Sequence, residues 1–117
     1  MSLSVSDAVS TLLHAAATGI SVRQNVIADN IANVDTPNYI ATSVDFESSL
    51  RSALADGGFE GLAISATATD TPVGANGNNV DLRKEVLAAM QSQYQYQVVT
   101  RSVTDHHSLI KIAAGGM

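Results

Sequence analysis

Along residues 5–34 the apolar positions fall at Val9, Leu12, Ala16, Ile20, Ile27, Ile31 and Val34. Their mean step is about 3.6 residues, the period of an α-helix, and Arg23 or Gln24 fills the one gap. The pattern predicts a helix from Val5 to Asn33, with Ser4 as N-cap and Asp7 near its positive end. Gly19 lies inside it and weakens it by up to about 1 kcal/mol. Pro37 stops it, because the residue before a proline, Thr36, is pushed toward extended geometry.

Asp45 can cap a short second helix that carries Phe46, Leu50 and Leu54 at a spacing of four, ended by Gly57 and Gly58. Residues 59–79 are rich in Gly, Ala, Thr and Asn. Within them "LAISATATD" alternates weakly, like an edge strand, and "ANGNN" is a turn signal. A structureless run of this length is unusual inside a compact domain, so it reads as a surface excursion or loop. The last helix is predicted from Val80 to Ala114, with Asn79 as N-cap, Asp81 and Glu85 near its first turns, and Gly115 and Gly116 beyond it.

The apolar positions of this last helix do not keep to one face. Val86, Met90, Tyr94 and Val98 step by four; Val99, Val103, Ile110 and Ala113 then follow a heptad-like step, with His106 in the missing place. Tyr94 and Tyr96 point to nearly opposite sides, since two residues turn about 200° on a helix. The two long helices would measure roughly 45 and 50 Å. Packed only on each other they bury one seam, so the remaining apolar surface expects neighbours of like kind. The predicted fold is mainly α. Long N- and C-terminal helices pack as an antiparallel or coiled-coil-like pair, with a short middle helix, an irregular loop and room for a weak β-hairpin. Its parts are an N-terminal assembly helix (1–34), a turn, short helix and variable loop (35–79), and a C-terminal assembly helix (80–117).

Composition narrows the function. With 117 residues, one domain is the default. Six basic against eleven acidic side chains give a net charge of −5, which speaks against nucleic acid as the main partner. There is no cysteine, hence neither a disulfide framework nor a thiolate metal site. No apolar run approaches the roughly 20 residues needed to span a bilayer, and no basic region followed by an apolar stretch marks a cleavable signal. Asp105, His106 and His107 suggest a metal site only faintly: adjacent histidines on a helix diverge by about 100°, and His14 is remote in sequence. No nucleophile elbow and no phosphate loop is present. We therefore expect no enzyme, no cofactor, no metal ligand and no catalytic residue.

"ADNIANVDTPNY", residues 28–39, resembles the A-x-N-x-A-N-x-x-T-P-x-Y motif of the bacterial flagellar axial proteins, the rod and hook group, through Asn30, Ala32, Asn33, Thr36, Pro37 and Tyr39. "GNNVDLRKEVLAAMQSQYQYQ", which holds Asn79, Asp81, Tyr94 and Tyr96, looks like the opening of the C-terminal helix in that group. "VDFESSL" and the short middle segment resemble the proximal rod proteins most. Asn38 stands where the family usually has Gly, and Val86 where Met is common. Asn tolerates left-handed geometry, so the turn can survive.

The resemblance implies a structural role. Such a protein is exported through the flagellar type III apparatus without signal cleavage, into the periplasmic space of a double-membraned cell. It polymerises through its terminal helices into the hollow proximal rod of the basal body, which transmits torque. Implied partners are further copies, other rod proteins, and rotor-ring or export-gate components at the rod base, with no nucleic acid and no membrane insertion. A helical adaptor or export chaperone that binds flagellar partners without polymerising is the alternative.

The motif poses a question of its own, since Asn30 and Asn33 share a helix ridge beside Ile27, Ile31 and Val34. A polar group in an apolar seam is destabilising unless paired, yet it can fix register. One reading has these amides bonding at the helix end or to a neighbouring subunit, with Thr36-Pro37 redirecting the chain and Tyr39 anchoring the turn. The plainer reading has Asn33 closing the helix and Asn30 solvated.

Overall fold

The computed structural model describes residues 2–58 and 62–115. The order of elements is α1 (Ser2–Ala32), β1 (Thr42–Val44), α2 (Phe46–Asp56), β2 (Ala66–Ala68) and α3 (Leu82–Gly115). α1 and α3 lie antiparallel: Asn30 meets Glu85, Arg23 meets Gln95 and His14 meets His107, so partner numbers rise on one helix as they fall on the other. The molecule is long and thin, 66 × 27 × 14 Å. Its radius of gyration of 18.0 Å exceeds the roughly 13 Å expected of a compact chain of this length.

The core is small and sits where α2 crosses the middle of the pair. Ile20, Val44, Phe46 and Leu50 are its buried members, with Leu12, Ala16, Val26 and Val99 packed around them. Gly19 belongs to this crossing. A Cβ placed there would fall well inside contact distance of the Phe46 ring, so the residue that weakens α1 locally is what lets α2 approach it. Arg23, in the gap of the α1 stripe, stacks 4.6 Å over the same ring. Its guanidinium donates to the Val44 carbonyl (2.7 Å from Nη2) and forms a forked ion pair with Glu47, joining α1, β1 and α2.

The predicted caps fare unequally. Asp45 accepts from the Ser48 N–H (3.3 Å) and opens α2 as expected. Gly57 takes a left-handed φ of 86°, and Gly57 and Gly58 N–H bond back to Leu54 and Ala53, a Schellman ending. Ser4, however, lies inside α1, which already begins at Ser2. Nor does Asn79 cap α3. That helix starts at Leu82, and Asp81 serves instead, accepting from the Lys84 N–H at 3.3 Å. Asn79 is drawn away by stronger obligations in the loop, described below.

β2 falls inside the weakly alternating stretch and pairs antiparallel with β1, Ser43 opposite Thr67. The two strands flank α2 in sequence, so the small sheet is not a hairpin. The "ANGNN" turn closes through the Gly77 N–H to the Gly74 carbonyl (3.0 Å) and the Gly74 N–H to the Asn78 carbonyl (2.8 Å).

Candidate functional site

The motif residues gather at one end of the molecule, where the end of α1, the 33–42 turn, the 69–79 loop and the start of α3 meet. Asn30 is fully buried there. Its Nδ2 donates to the Thr42 carbonyl (2.8 Å) and to Glu85 Oε1 (2.7 Å). Its Oδ1 accepts from the Thr42 N–H (3.1 Å) and the Tyr39 hydroxyl (3.3 Å). An asparagine amide offers two donors and two acceptor positions, and all four are used. Asn30 is therefore neither solvated nor available to a neighbouring subunit; it fastens α1, β1 and α3 within one chain.

Asn33 follows the plainer reading. Its Nδ2 donates to the Asp29 carbonyl (2.8 Å), and its Oδ1 accepts from the Thr36 hydroxyl (3.0 Å), so it closes the helix end. Thr36 and Pro37 are exposed in the turn, and Ala32 is an exposed position just before it. Tyr39 anchors the turn as expected, through its hydroxyl to Asn30 and its N–H to the Thr36 carbonyl (3.3 Å). Asn38 adopts the left-handed φ of 62° that its place in the motif requires, and its N–H donates to the Asn76 carbonyl (2.9 Å).

Two residues missed as site members complete this clasp. Asn78 Nδ2 donates to the carbonyls of Asn33 (2.8 Å) and Thr36 (2.7 Å) in the turn after α1, each of which also accepts a backbone N–H, so the loop is tied to that turn. Glu85, the second, accepts from Asn30 on the α3 side. Asn79 joins them: its Oδ1 accepts from the Ala41 N–H (2.6 Å), and its Nδ2 donates to the Thr71 carbonyl (3.0 Å). Asn78, Asn79 and Glu85 are all buried. In the sequence Asn78 reads only as a turn residue, and Glu85 only as an acid suited to a first helical turn. Neither local pattern signals burial, because their partners lie dozens of positions away.

The second feature is the face α3 leaves open. Its buried or half-buried positions, among the described side chains, are Glu85, Ala88, Ala89, Ser92, Val99, Thr100, Ser102, Val103 and His106, mostly small or polar. Ser92 Oγ is buried in this seam without a hydrogen-bond partner. The larger stripe lies outside. Val86 (45 %), Met90 (66 %), Tyr94 (63 %) and Val98 (48 %) are exposed, and so are Leu109 and Ile112 further on. Tyr96 is at the edge of exposure, 38 %. The step-by-four series thus does not pack on α1; the Val99–Val103–His106 series does, and its next member, Ile110, is exposed. The side chain of Ala113 falls outside the described residues. Tyr94 and Val98 also border an apolar groove of about 480 Å³ floored by Ile20, Phe46 and Leu50.

Other chemistry is thin. Hydrogen bonds from Arg23 hold the Glu47 carboxyl below its ordinary value, and those from the Ser48 hydroxyl and N–H do the same for Asp45. The fold brings His14 and His107, remote in sequence, to 6.1 Å between ring centres. Among the described residues no cluster of three or more metal-ligating groups could hold an ion. No helix among them is long and apolar enough to cross a membrane.

A clasped helical pair with a small core and an open apolar stripe has the build of a structural protein, and comparison with known proteins agrees. Residues 15–39 match the family described as flagella basal body rod protein. The flagellar basal body rod protein FlgB of Borreliella burgdorferi is 33 % identical over 115 residues, covering 80 % of this chain and 85 % of that protein. FlgB of Bacillus subtilis is 36 % identical over 109 residues, 81 % of this chain and 84 % of the relative. FlgB of Escherichia coli is 32 % identical over 97 residues, 65 % of this chain and 70 % of the relative. The chain belongs to the FlgB family of flagellar basal body rod proteins.

Proposed function

We propose that this structural rod subunit polymerises through α1 and α3, together with other rod proteins, into the proximal part of the hollow shaft that carries torque out of the rotor. The observation that supports it is the allocation of side chains on α3. Ala88, Ala89, Ser92, Val99 and Val103 are turned inward, and Val86, Met90, Tyr94 and Val98 face outward along several turns. A monomer gains nothing from that arrangement, because exposed apolar area is left in water. A neighbouring subunit would bury it.

In this reading the asparagine clasp sets the stagger of α1 against α3 before assembly, so every copy offers its neighbours the same surface. Export without a cleaved signal, and contacts with rotor-ring or export-gate components at the base, belong to the same proposal. No catalytic role is assigned. The test is incorporation. Chains carrying Met90→Ser and Tyr94→Ser together should fold but fail to enter isolated basal bodies and fail to restore swimming. Normal incorporation of that double variant would remove the reading. A folded wild-type chain that forms only small closed complexes with a flagellar partner would favour the non-polymerising adaptor.

A further inference from the structure

Two helix faces lie open on this molecule, and the charges at their ends match. On α3, Leu87, Met90, Tyr94 and Val98 are exposed in a row, and exposed Arg83 and Arg101 extend that row at its two ends. The arginines are about 27 Å apart along the axis. On α1, Thr11, Thr18 and Asn25 are exposed at a step of seven, with exposed His14 on the same side; the three are short or polar where the α3 row is bulky. Exposed Asp7 and Asp29 stand at the two ends of that face, about 33 Å apart. The asymmetry extends to whole segments. α3 carries four basic and two acidic side chains, whereas residues 2–58 carry six acidic and two basic.

We infer that α3 of one copy lies along the outer face of α1 of a second copy, with Tyr94 packed against the short α1 side chains and Arg83 and Arg101 set opposite Asp7 and Asp29. The inference rests on the self-assembly reading above and names its contact. Large side chains meet a smooth face, so the helices approach closely. Long arginine stems absorb the difference in spacing. Arg101 lies 4.0 Å from Asp105 one turn away, but both are exposed, and such a pair holds its members loosely. An α3-to-α3 contact would instead bring two copies of the basic helix together, which like charge disfavours. Because the two faces differ, the contact is heterologous and propagates from copy to copy rather than closing at two.

The test uses the full chain in sedimentation velocity over a concentration series, with circular dichroism to confirm that each variant keeps the wild-type fold. Wild type should associate with rising concentration, less so at high salt. Arg83→Glu with Arg101→Glu, and separately Asp7→Lys with Asp29→Lys, should each weaken association about tenfold or more. Mixing the two variants one to one should restore it, since each reversed face then meets its complement. Tyr94→Ser should weaken association without altering its salt dependence. Association that survives both reversals, or a mixture no stronger than its parts, would overturn this contact while leaving self-assembly standing. Wild type that stays monomeric throughout would overturn both.

Discussion

Asn30 shows how one amide can hold three chain segments. Replacing it with Ala would leave the Thr42 N–H and carbonyl, the Tyr39 hydroxyl and a Glu85 oxygen without this partner, in a site buried at Asn30 and Glu85 and half-buried at Tyr39 and Thr42. We expect Asn30→Ala to lower stability by about 3 kcal/mol in urea titration. Asn33→Ala, at an exposed helix end, should cost only about 1 kcal/mol. Equal losses would contradict the division of labour between them. Glu47 sets the acid response. Its folded pKa lies below the ordinary 4.5, so the Arg23 pair contributes fully above that value and loses its contribution as pH falls through the lower, folded one. Its side chain is 43 % exposed, so the contribution is under about 1 kcal/mol after solvent screening. Glu47→Gln should flatten the loss of stability on acidification below about pH 5 relative to wild type. An unchanged acid slope would argue against it. Asp45, held low by Ser48, acts in the same direction.

Among the elements, the two long helices and α2 were legible because their signals are local: apolar period, Asp45 as a cap, Gly57 and Pro37 as stops. The caps of the long helices were less so. Ser4 and Asn79 have suitable side chains, but a cap depends on where the helix actually starts, and Asp81 lies two positions nearer to it. β1 gave no signal, since three residues of strand are specified by the partner they meet, here residues 66–68 beyond α2. The buried clasp was half legible: the asparagines stood out, but their partners at Thr42, Glu85 and the 33–36 carbonyls did not. Two consequences are measurable at this scale. Gly19→Ala should raise local helix propensity yet destabilise the protein by about 1–3 kcal/mol, because the added methyl meets the Phe46 ring; a more stable variant would show that α2 moves aside freely. Insertions near Pro72 and Val73, which are exposed, should be accepted, while insertions between Asn78 and Asn79 should unfold the clasp. Limited proteolysis and thermal melts would separate the two.

For the molecule as a whole, length outruns its core. Burial concentrates around Ile20, Val44, Phe46 and Leu50 and at the clasp, and α3 beyond Val103 has mostly exposed side chains. Isolated helices draw most of their stability from packing. Circular dichroism should therefore find less helix in dilute monomer than in the assembled state, with hydrogen exchange fastest in α1 before Leu12 and α3 after Val103. A dilute monomer with uniformly slow exchange would contradict this. Removing residues 2–34 should abolish incorporation into the rod.

The stretch of the α1–α3 seam lined by Ala88, Ala89 and Ser92 has a mechanical side. Smooth, thin seams grip weakly, so a pull on the far tips would open this pair like a clothes peg, with the asparagine-fastened end as its spring.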